Sequence, residues 1–349
     1  MQWIKGVFPV FMSLLIGSVG GGIFYMLKTP LPLILGPITA ISIASRFSFI
    51  PLKSPKFFSS PARAILGITI GSAFNPAILH YLGSFISSLL LVIPFVIIIS
   101  FFGMLYYWKF LKFDKTSAYF SAMPGGLLEM VMLAESLGAN VYKVTLAQST
   151  RLMLIVFTLP FIIEHLVGVS LSGRGSITHP WAHADKLEVL ILCVCAVVGW
   201  KGALKLKIPG GTIIGPMVIG AAIYSLGLVS SRPPDEIISF VQIILGSTIG
   251  FVFVGISLKE VFRVIIHTLG YFAILVIVSG VFVLLVSSIT TFPLVSVMLA
   301  FSPGGQAEMN LIAIIVGANL PYVALHHILR MFLVMSVAPI FVTKLRDTR

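Results

Sequence analysis

The chain contains a long internal duplication, centred on an apolar segment that is interrupted by Pro-Gly-Gly. The interruption lies in SAMPGGLLEM, residues 121–130, and again in AFSPGGQAEM, residues 300–309, at an offset of 179 residues. The same offset relates LKTPLPLILGP to LKIPGGTIIGP and ILGITIG to ILGSTIG, without insertion or deletion. A repeat of this length predicts a fold built from two copies of one structural unit.

Composition places both copies in a membrane. Hydrophobic residues make up 58% of the 349 residues and charged residues only 10%, whereas a soluble domain carries roughly 25% charged residues. The apolar runs are continuous rather than alternating, which predicts helices, and about 20 such residues cross the hydrocarbon core. Each copy offers six runs, at about 7–27, 31–45, 62–80, 84–107, 116–137 and 141–163, then 187–204, 210–228, 237–257, 262–287, 294–316 and 320–343.

These runs predict an all-α polytopic membrane protein made of two repeats. The first repeat covers 1–163, a polar linker on the periplasmic side covers 164–186, and the second repeat covers 187–349. The net charge of +12 is interpreted as the Lys and Arg content of cytoplasmic loops. The lipid bilayer is therefore the expected partner, and we expect no direct contact with nucleic acid.

Loop charges favour one of two arrangements of the Pro-Gly-Gly segments. If all twelve segments cross, several basic residues fall outside, among them Lys201, Lys205 and Lys207. If each Pro-Gly-Gly segment enters and leaves by one face, the repeats become inverted, and the basic loop residues left outside are Lys28, Arg174, Lys186 and Arg232. The positive-inside rule favours this second arrangement, with about ten crossings, two re-entrant segments and both termini cytoplasmic. A broken helix that crosses is the alternative.

Interrupted helices at corresponding positions of inverted repeats predict a solute site near the middle of the membrane. The helix after each Gly-Gly would offer free N–H groups and a positive dipole end to an anion. Close packing of small residues is the structural alternative. The residues assigned to the site are Pro124, Gly125, Gly126, Glu129, Gln148 and Arg151 in the first repeat, and Pro303, Gly304, Gly305, Gln306, Glu308, Asn310, His327 and Arg330 in the second.

Charged residues also occur inside the apolar segments. Glu129 and Arg151 flank a Gly-Ala-Asn turn at similar distances, as do Glu308 and Arg330, so the members of each pair are expected at a similar depth. Arginine would bind an anion and glutamate a proton or Na⁺, or each pair would only lock its segment to the next helix. His327 could relay protons or serve as a hydrogen-bonded histidine in a polar seam.

The paired signatures resemble one known family. LILGP with AILGITIG, then SAMPGGLLEMVMLAESLGANVYKVTLAQSTRLMLIVFTLP and the second copy SPGGQAEMNLIAIIVGANLPYVALHHILRMFLV, are similar to the bacterial AbrB-duplication membrane proteins over nearly the whole chain. The resemblance implies a polytopic inner-membrane protein related to the cation–proton antiporter and anion transporter superfamily. It also implies two other labels, a regulator of gene expression and an ammonia monooxygenase.

Three functions follow as hypotheses. The first is a secondary transporter that moves a small anionic solute by alternating access, coupled to H⁺ or Na⁺. The second is a membrane-embedded regulator of gene expression that acts through a cytoplasmic partner, and the third is a membrane oxidase. The sequence shows no phosphate loop, nucleophile elbow or Cys/His zinc cluster, so we expect no enzyme, no cofactor and no metal. The solute and the oligomeric state, a homodimer included, stay open.

Overall fold

The computed structural model describes residues 2–74, 81–168 and 180–347, so residues 169–179 of the predicted linker lie outside the described part. Within that part the chain has fourteen α-helices and no strand, which confirms the predicted all-α class. The helices are α1 (Gln2–Met26), α2 (Pro32–Ala44), α3 (Lys56–Gly71), α4 (Ile86–Leu105), α5 (Lys115–Ala122), α6 (Leu127–Ser136), α7 (Val141–Val167), α8 (Lys186–Lys205), α9 (Gly211–Ser225), α10 (Asp235–Gly250), α11 (Leu258–Ile289), α12 (Leu294–Ala300), α13 (Gln306–Val316) and α14 (Leu320–Asp347).

Seven helical spans in the described residues have the length and apolar composition of membrane crossings. They are Val7–Met26, Gly83–Phe110, Val141–Val167, Lys186–Lys205, Asp235–Phe253, Lys259–Ile289 and Leu320–Val342. The helices α2 and α9 are apolar but shorter, with 13 and 15 residues. At about 1.5 Å per residue they do not reach the roughly 30 Å of a bilayer core. The predicted segments 31–45 and 210–228 therefore form helices that are shorter than the seven spans.

The helices group into two compact units, and neither unit coincides with one repeat. The first unit takes its residues from 1–79, 159–257 and 314–316, and the second from 80–158, 258–313 and 317–349. Helices α1, α2 and α3 thus lie in one unit with their counterparts α8, α9 and α10. Each unit combines the same part of both repeats.

In the first unit, contacts of one repeat recur in the other at the 179-residue offset. Gly67 of α3 lies against the backbone of Ile213 in α9, and Gly246 of α10 lies against Ile34 in α2. A Cβ at Gly246 would stand 2.7 Å from the carbonyl oxygen of Ile34, so the close approach of these helices requires glycine. Reciprocal contacts of this kind are those that a two-fold relation between repeats produces.

In the second unit, two long helices support the interrupted segments. Helix α4 packs on α5, and its counterpart α11 packs on α12. The rings of Phe95, Phe282 and Phe301 lie 5.3–6.0 Å from one another and fill the space between α4, α11 and the end of α12. Buried Tyr271 of α11 lies against Gly103 of α4, where a larger residue would displace its ring. Both Pro-Gly-Gly breaks, and most of each long helix that follows, therefore lie in one unit.

Candidate solute-binding site

Each Pro-Gly-Gly sequence ends one short helix and begins another. Asp114 caps α5, and its carboxylate accepts a hydrogen bond from the Ser117 N–H at 2.9 Å. Helix α5 ends before Met123, because a residue that precedes proline disfavours the helical conformation. Helix α6 then begins after Gly126. Helices α12 and α13 repeat this arrangement in the second copy.

Both interrupted segments fold back on themselves. The Asn140 N–H at the start of α7 donates to Ser117 Oγ at 2.8 Å, and the Asn319 N–H donates to Ser296 Oγ at 2.9 Å. Because Ser117 lies in the first turn of α5, the chain has returned to the level at which it entered. One straight helix over this sequence separation of 23 residues would place the two ends roughly 35 Å apart. This fold-back is the geometry that the predicted re-entrant arrangement requires.

Two buried arginines hold the two breaks. The Nη1 and Nη2 groups of Arg151 donate to the carbonyl oxygens of Met123 and Gly125 at 2.8 and 3.2 Å. Arg330 makes the same two bonds on either side of Pro303, at 2.6 and 2.5 Å. The arginines are only 1% and 3% exposed. Carbonyls at a helix end lack intrahelical donors, and the guanidinium groups supply them.

Gln148 and His327 occupy equivalent positions in the two repeats and make equivalent bonds. Gln148 Nε2 donates to the carbonyl oxygens of Phe120 and Met123 at 2.6 and 3.0 Å. His327 Nε2 lies 3.0 Å from the carbonyl oxygen of Leu299, the counterpart of Phe120. Because a carbonyl oxygen can only accept, this contact places a proton on Nε2. Both side chains are fully buried and brace the first arm of their segment.

A glutamate and a methionine that recur after Gly-Gly explain why both glycines recur. A Cβ on Gly126 would stand 3.0 Å from Cδ of Glu129, and a Cβ on Gly125 would stand 2.7 Å from Sδ of Met130. The corresponding distances in the second copy are 3.1 and 2.8 Å. Each glutamate is the third residue of its helix, and its carboxylate lies against the glycine that precedes the helix. The glycines leave room for these two side chains.

Arg151 and Arg330 donate to main-chain carbonyls at the breaks, and the expected pairing of Glu129 with Arg151 and of Glu308 with Arg330 stays a prediction. A helix break exposes carbonyl oxygens on one side and N–H groups on the other. The guanidinium groups bind the carbonyl side, and each carboxylate lies against the glycine that precedes its helix, near the end where the helix dipole favours negative charge. That the helix after each Gly-Gly binds an anion stays a prediction.

The two breaks lie next to each other in the second unit. Leu152, which follows Arg151, places its Cδ1 3.0 Å from the position of a Cβ on Gly305. The two buried guanidinium groups interact electrostatically with each other, and Tyr271 interacts with both. The Tyr271 hydroxyl also donates to the carbonyl oxygen of Ala122. The two breaks are therefore neighbours in the second unit.

The second break is the more polar of the two. Gln306 and Asn310 lie in the first turns of α13, where the first repeat has Leu127 and Val131. Asn310 is fully buried, and its Nδ2 donates to the carbonyl oxygen of Gln306 at 2.8 Å. Among the described residues, no group of three or more His, Cys, Asp or Glu side chains is placed to hold a metal ion. The residues assigned to the site from the sequence therefore lie at the two breaks or bond to them.

Three contributors to the site were not assigned from the sequence. Ser117 and Ser296 close the two fold-backs, and they recur at the 179-residue offset. Their recurrence was a signal that could have found them. Tyr271 has Val92 as its counterpart in the first repeat. Because only one copy carries it, the repeat gives no signal for its role.

Fold and site together define a class: an all-helical protein with membrane-type spans and a duplicated core built around two fold-back breaks. A family model described as "Transition state regulatory protein AbrB" matches residues 33–346. The chain belongs to this AbrB family. The matched range begins within α2 and ends within α14, so it includes both breaks, both arginines and all other assigned site residues.

Two curated relatives are similar to the chain. "Putative regulator AbrB" of Escherichia coli (strain K12) is 26% identical over 351 aligned positions, which cover 97% of this chain and 95% of the relative. "Uncharacterized protein YhjN" of Bacillus subtilis (strain 168) is 28% identical over 293 positions, which cover 79% and 76% respectively. Both alignments span more than two thirds of each protein, so the similarity extends over both repeats.

Proposed function

We propose that this protein is a secondary transporter that carries a small anionic solute by alternating access. The observation that carries the proposal is the pair of buried arginines, Arg151 and Arg330, at two adjacent fold-back breaks. Main-chain carbonyls supply only dipoles, so their hydrogen bonds leave the formal charge of both guanidinium groups in place. Buried ionisable side chains among membrane helices are costly and commonly mark a substrate or ion pathway.

The proposal includes an inverted arrangement of the two repeats. Interrupted helices that meet between inverted repeats are the architecture of many secondary transporters. The fold-back geometry of both segments supports it, as does the loop charge distribution that places both termini in the cytoplasm. We place the protein in the bacterial inner membrane and propose that it catalyses no covalent reaction. Coupling to H⁺ or Na⁺ belongs to the same proposal, since glutamates lie at both breaks.

Counterflow in proteoliposomes tests transport directly. Vesicles that contain the purified full chain would be preloaded with one unlabelled organic anion at a time, and uptake of the same labelled anion would be followed with and without a H⁺ or Na⁺ gradient. We expect accumulation that Arg330→Ala abolishes and that Arg232→Ala, at an exposed loop arginine, leaves intact. Absence of counterflow for every anion in correctly folded protein would reject the proposal.

A regulatory function is the second candidate, favoured by the family description and by the name of the E. coli relative. Such a regulator would act through a cytoplasmic partner, because the helices account for most of the chain. Crosslinking in cells followed by purification of the full chain tests this. A stoichiometric partner that is lost when the basic residues Lys201, Lys205 and Lys207 are replaced by Gln would favour regulation. Transport without such a partner would favour the first proposal.

A further inference from the structure

We infer that the solute is a small carboxylate that also carries a hydrogen-bond donor, such as a hydroxy acid or an amino acid. The inference rests on the proposed transport function and concerns its solute class. It starts from the polar atoms at the two breaks that are buried and lack a hydrogen-bond partner. Buried polar groups in proteins are almost always paired, so each such atom requires an explanation.

Two of these atoms are side-chain amide oxygens. In each case the hydrogen bonds of the NH2 group on the same side chain identify which amide atom is the oxygen. Gln148 Nε2 donates to two carbonyl oxygens, and Asn310 Nδ2 donates to one. A carbonyl cannot pair with an amide oxygen, so neither amide can be flipped without losing these bonds. Gln148 Oε1 and Asn310 Oδ1 are then left as buried acceptors without a donor. Both require a donor from outside the described side chains.

Three of the other atoms of this kind at the two breaks are donors, and two of the three are charged. The Nε groups of Arg151 and Arg330 are buried and without a hydrogen-bond partner, as is Gln306 Nε2. These donors call for an acceptor, and a carboxylate suits guanidinium groups best because the bond is assisted by charge. The carboxylates of Glu129 and Glu308 lie against the glycines that precede the two following helices, so we assign the carboxylate of the solute to the guanidinium groups.

The contacts between the breaks place the chain around the first set of atoms beside the chain around the second set. Gln148 and Arg151 share the carbonyl oxygen of Met123, so the first amide oxygen lies beside the first arginine. Leu152 touches the second break at Gly305, next to Gln306 in the chain. A solute at this place meets donors and acceptors together. Acetate or succinate offers only acceptors at neutral pH, whereas glycolate, malate or glycine also offers a donor.

Ligand binding to the purified full chain tests the solute class with matched pairs. The probes are glycolate against acetate and malate against succinate, with affinity measured by isothermal titration calorimetry in detergent at constant Na⁺. We expect the hydroxy acid of at least one pair to bind at least about tenfold more tightly, because a site built around a hydroxyl group discriminates strongly against its absence. Asn310→Val and Gln306→Leu, which copy the first repeat, should remove this difference. Val131→Thr should preserve it.

Several outcomes would overturn the inference. Equal affinities within each pair, no binding of any of the four acids, or discrimination that survives both substitutions would each do so. A response to Na⁺ alone that Asn310→Val removes would assign the amide oxygens to a cation instead. Tighter binding of the hydroxy acids without counterflow would support the solute class and reject transport. Counterflow of acetate and glycolate at equal rates would leave transport standing and reject the solute class.

Discussion

Glu129 and Gly126 are in contact across the first turn of α6, where the glutamate carboxylate turns back over the glycine that caps its own helix. The same contact joins Glu308 and Gly305 in the second repeat. The sequence Pro-Gly-Gly followed by glutamate at the third helical position is therefore one structural device. Proline ends the first helix, glycine leaves space, and glutamate lies against that glycine at the start of the second helix.

We predict that the effects of Gly126→Ala and Glu129→Ala on stability are not additive. The new Cβ of Gly126→Ala would push the carboxylate away from the helix N terminus, so each single variant should lose about 1–2 kcal/mol, as for other N-terminal caps. The double variant should lose little more than either one. Thermal unfolding in detergent measures all three, and Gly22→Ala, at a glycine with no atom within 4 Å of the new Cβ, is the control. Fully additive losses would contradict the contact.

A second prediction concerns the two carbonyls that each arginine binds. Arg330→Lys keeps the positive charge, but one ammonium group cannot reproduce the planar pair of donors that reaches both sides of Pro303. At least one buried carbonyl should lose its donor, at a cost of about 1–3 kcal/mol. The melting temperature in detergent should fall for Arg330→Lys and stay unchanged for Arg232→Lys at an exposed site. A melting temperature of Arg330→Lys equal to that of the parent would show that the positive charge is sufficient at this position.

Much of this architecture could be predicted because the duplication is free of insertions. The offset aligned Arg151 with Arg330 and Gln148 with His327, and the structure gives the aligned residues the same partners. The all-α class followed from continuous apolar runs, and the fold-back followed from loop charges. Each of these features depends on local pattern or on charge, which a single sequence displays.

The partner of each charge could not be predicted in the same way. Counting residues from the Gly-Ala-Asn turn placed Glu129 and Arg151 at a similar depth, but depth alone does not decide which group a guanidinium reaches. The carbonyls of Met123 and Gly125 compete with the carboxylate, and main-chain carbonyls are invisible in a residue pattern. Tyr271 was missed for a related reason, since its contact with Ala122 joins positions 149 residues apart.

The fold-back of each segment predicts which residues share one side of the membrane. In a variant with Cys193 and Cys195 replaced by Ser, single cysteines at Lys115→Cys and Ser136→Cys should react from the same side with an impermeant thiol reagent. If the repeats are inverted, Thr291→Cys and Ala318→Cys should both react from the opposite side. Labelling intact cells and inverted vesicles measures both pairs. If the two cysteines of one pair react from opposite sides, the fold-back is contradicted. If all four cysteines react from one side, the inverted arrangement of the repeats is contradicted, but the fold-back is not.

The last prediction separates two roles of His327. Its Nε2 bonds to the carbonyl oxygen of Leu299 as the Gln148 amide bonds to that of Phe120. Glutamine is therefore the residue that makes the equivalent hydrogen bond in the other repeat. We expect His327→Gln to keep the free energy of unfolding, measured by thermal unfolding in detergent, within about 0.5 kcal/mol of the parent, whereas His327→Leu should lose about 1–3 kcal/mol because the buried carbonyl loses its donor. A bracing role also predicts that His327→Gln keeps the pH profile of solute uptake. A histidine that relays protons would give the opposite result, because glutamine cannot take up a proton in this range; uptake by His327→Gln would then become independent of the proton gradient while the protein stays folded.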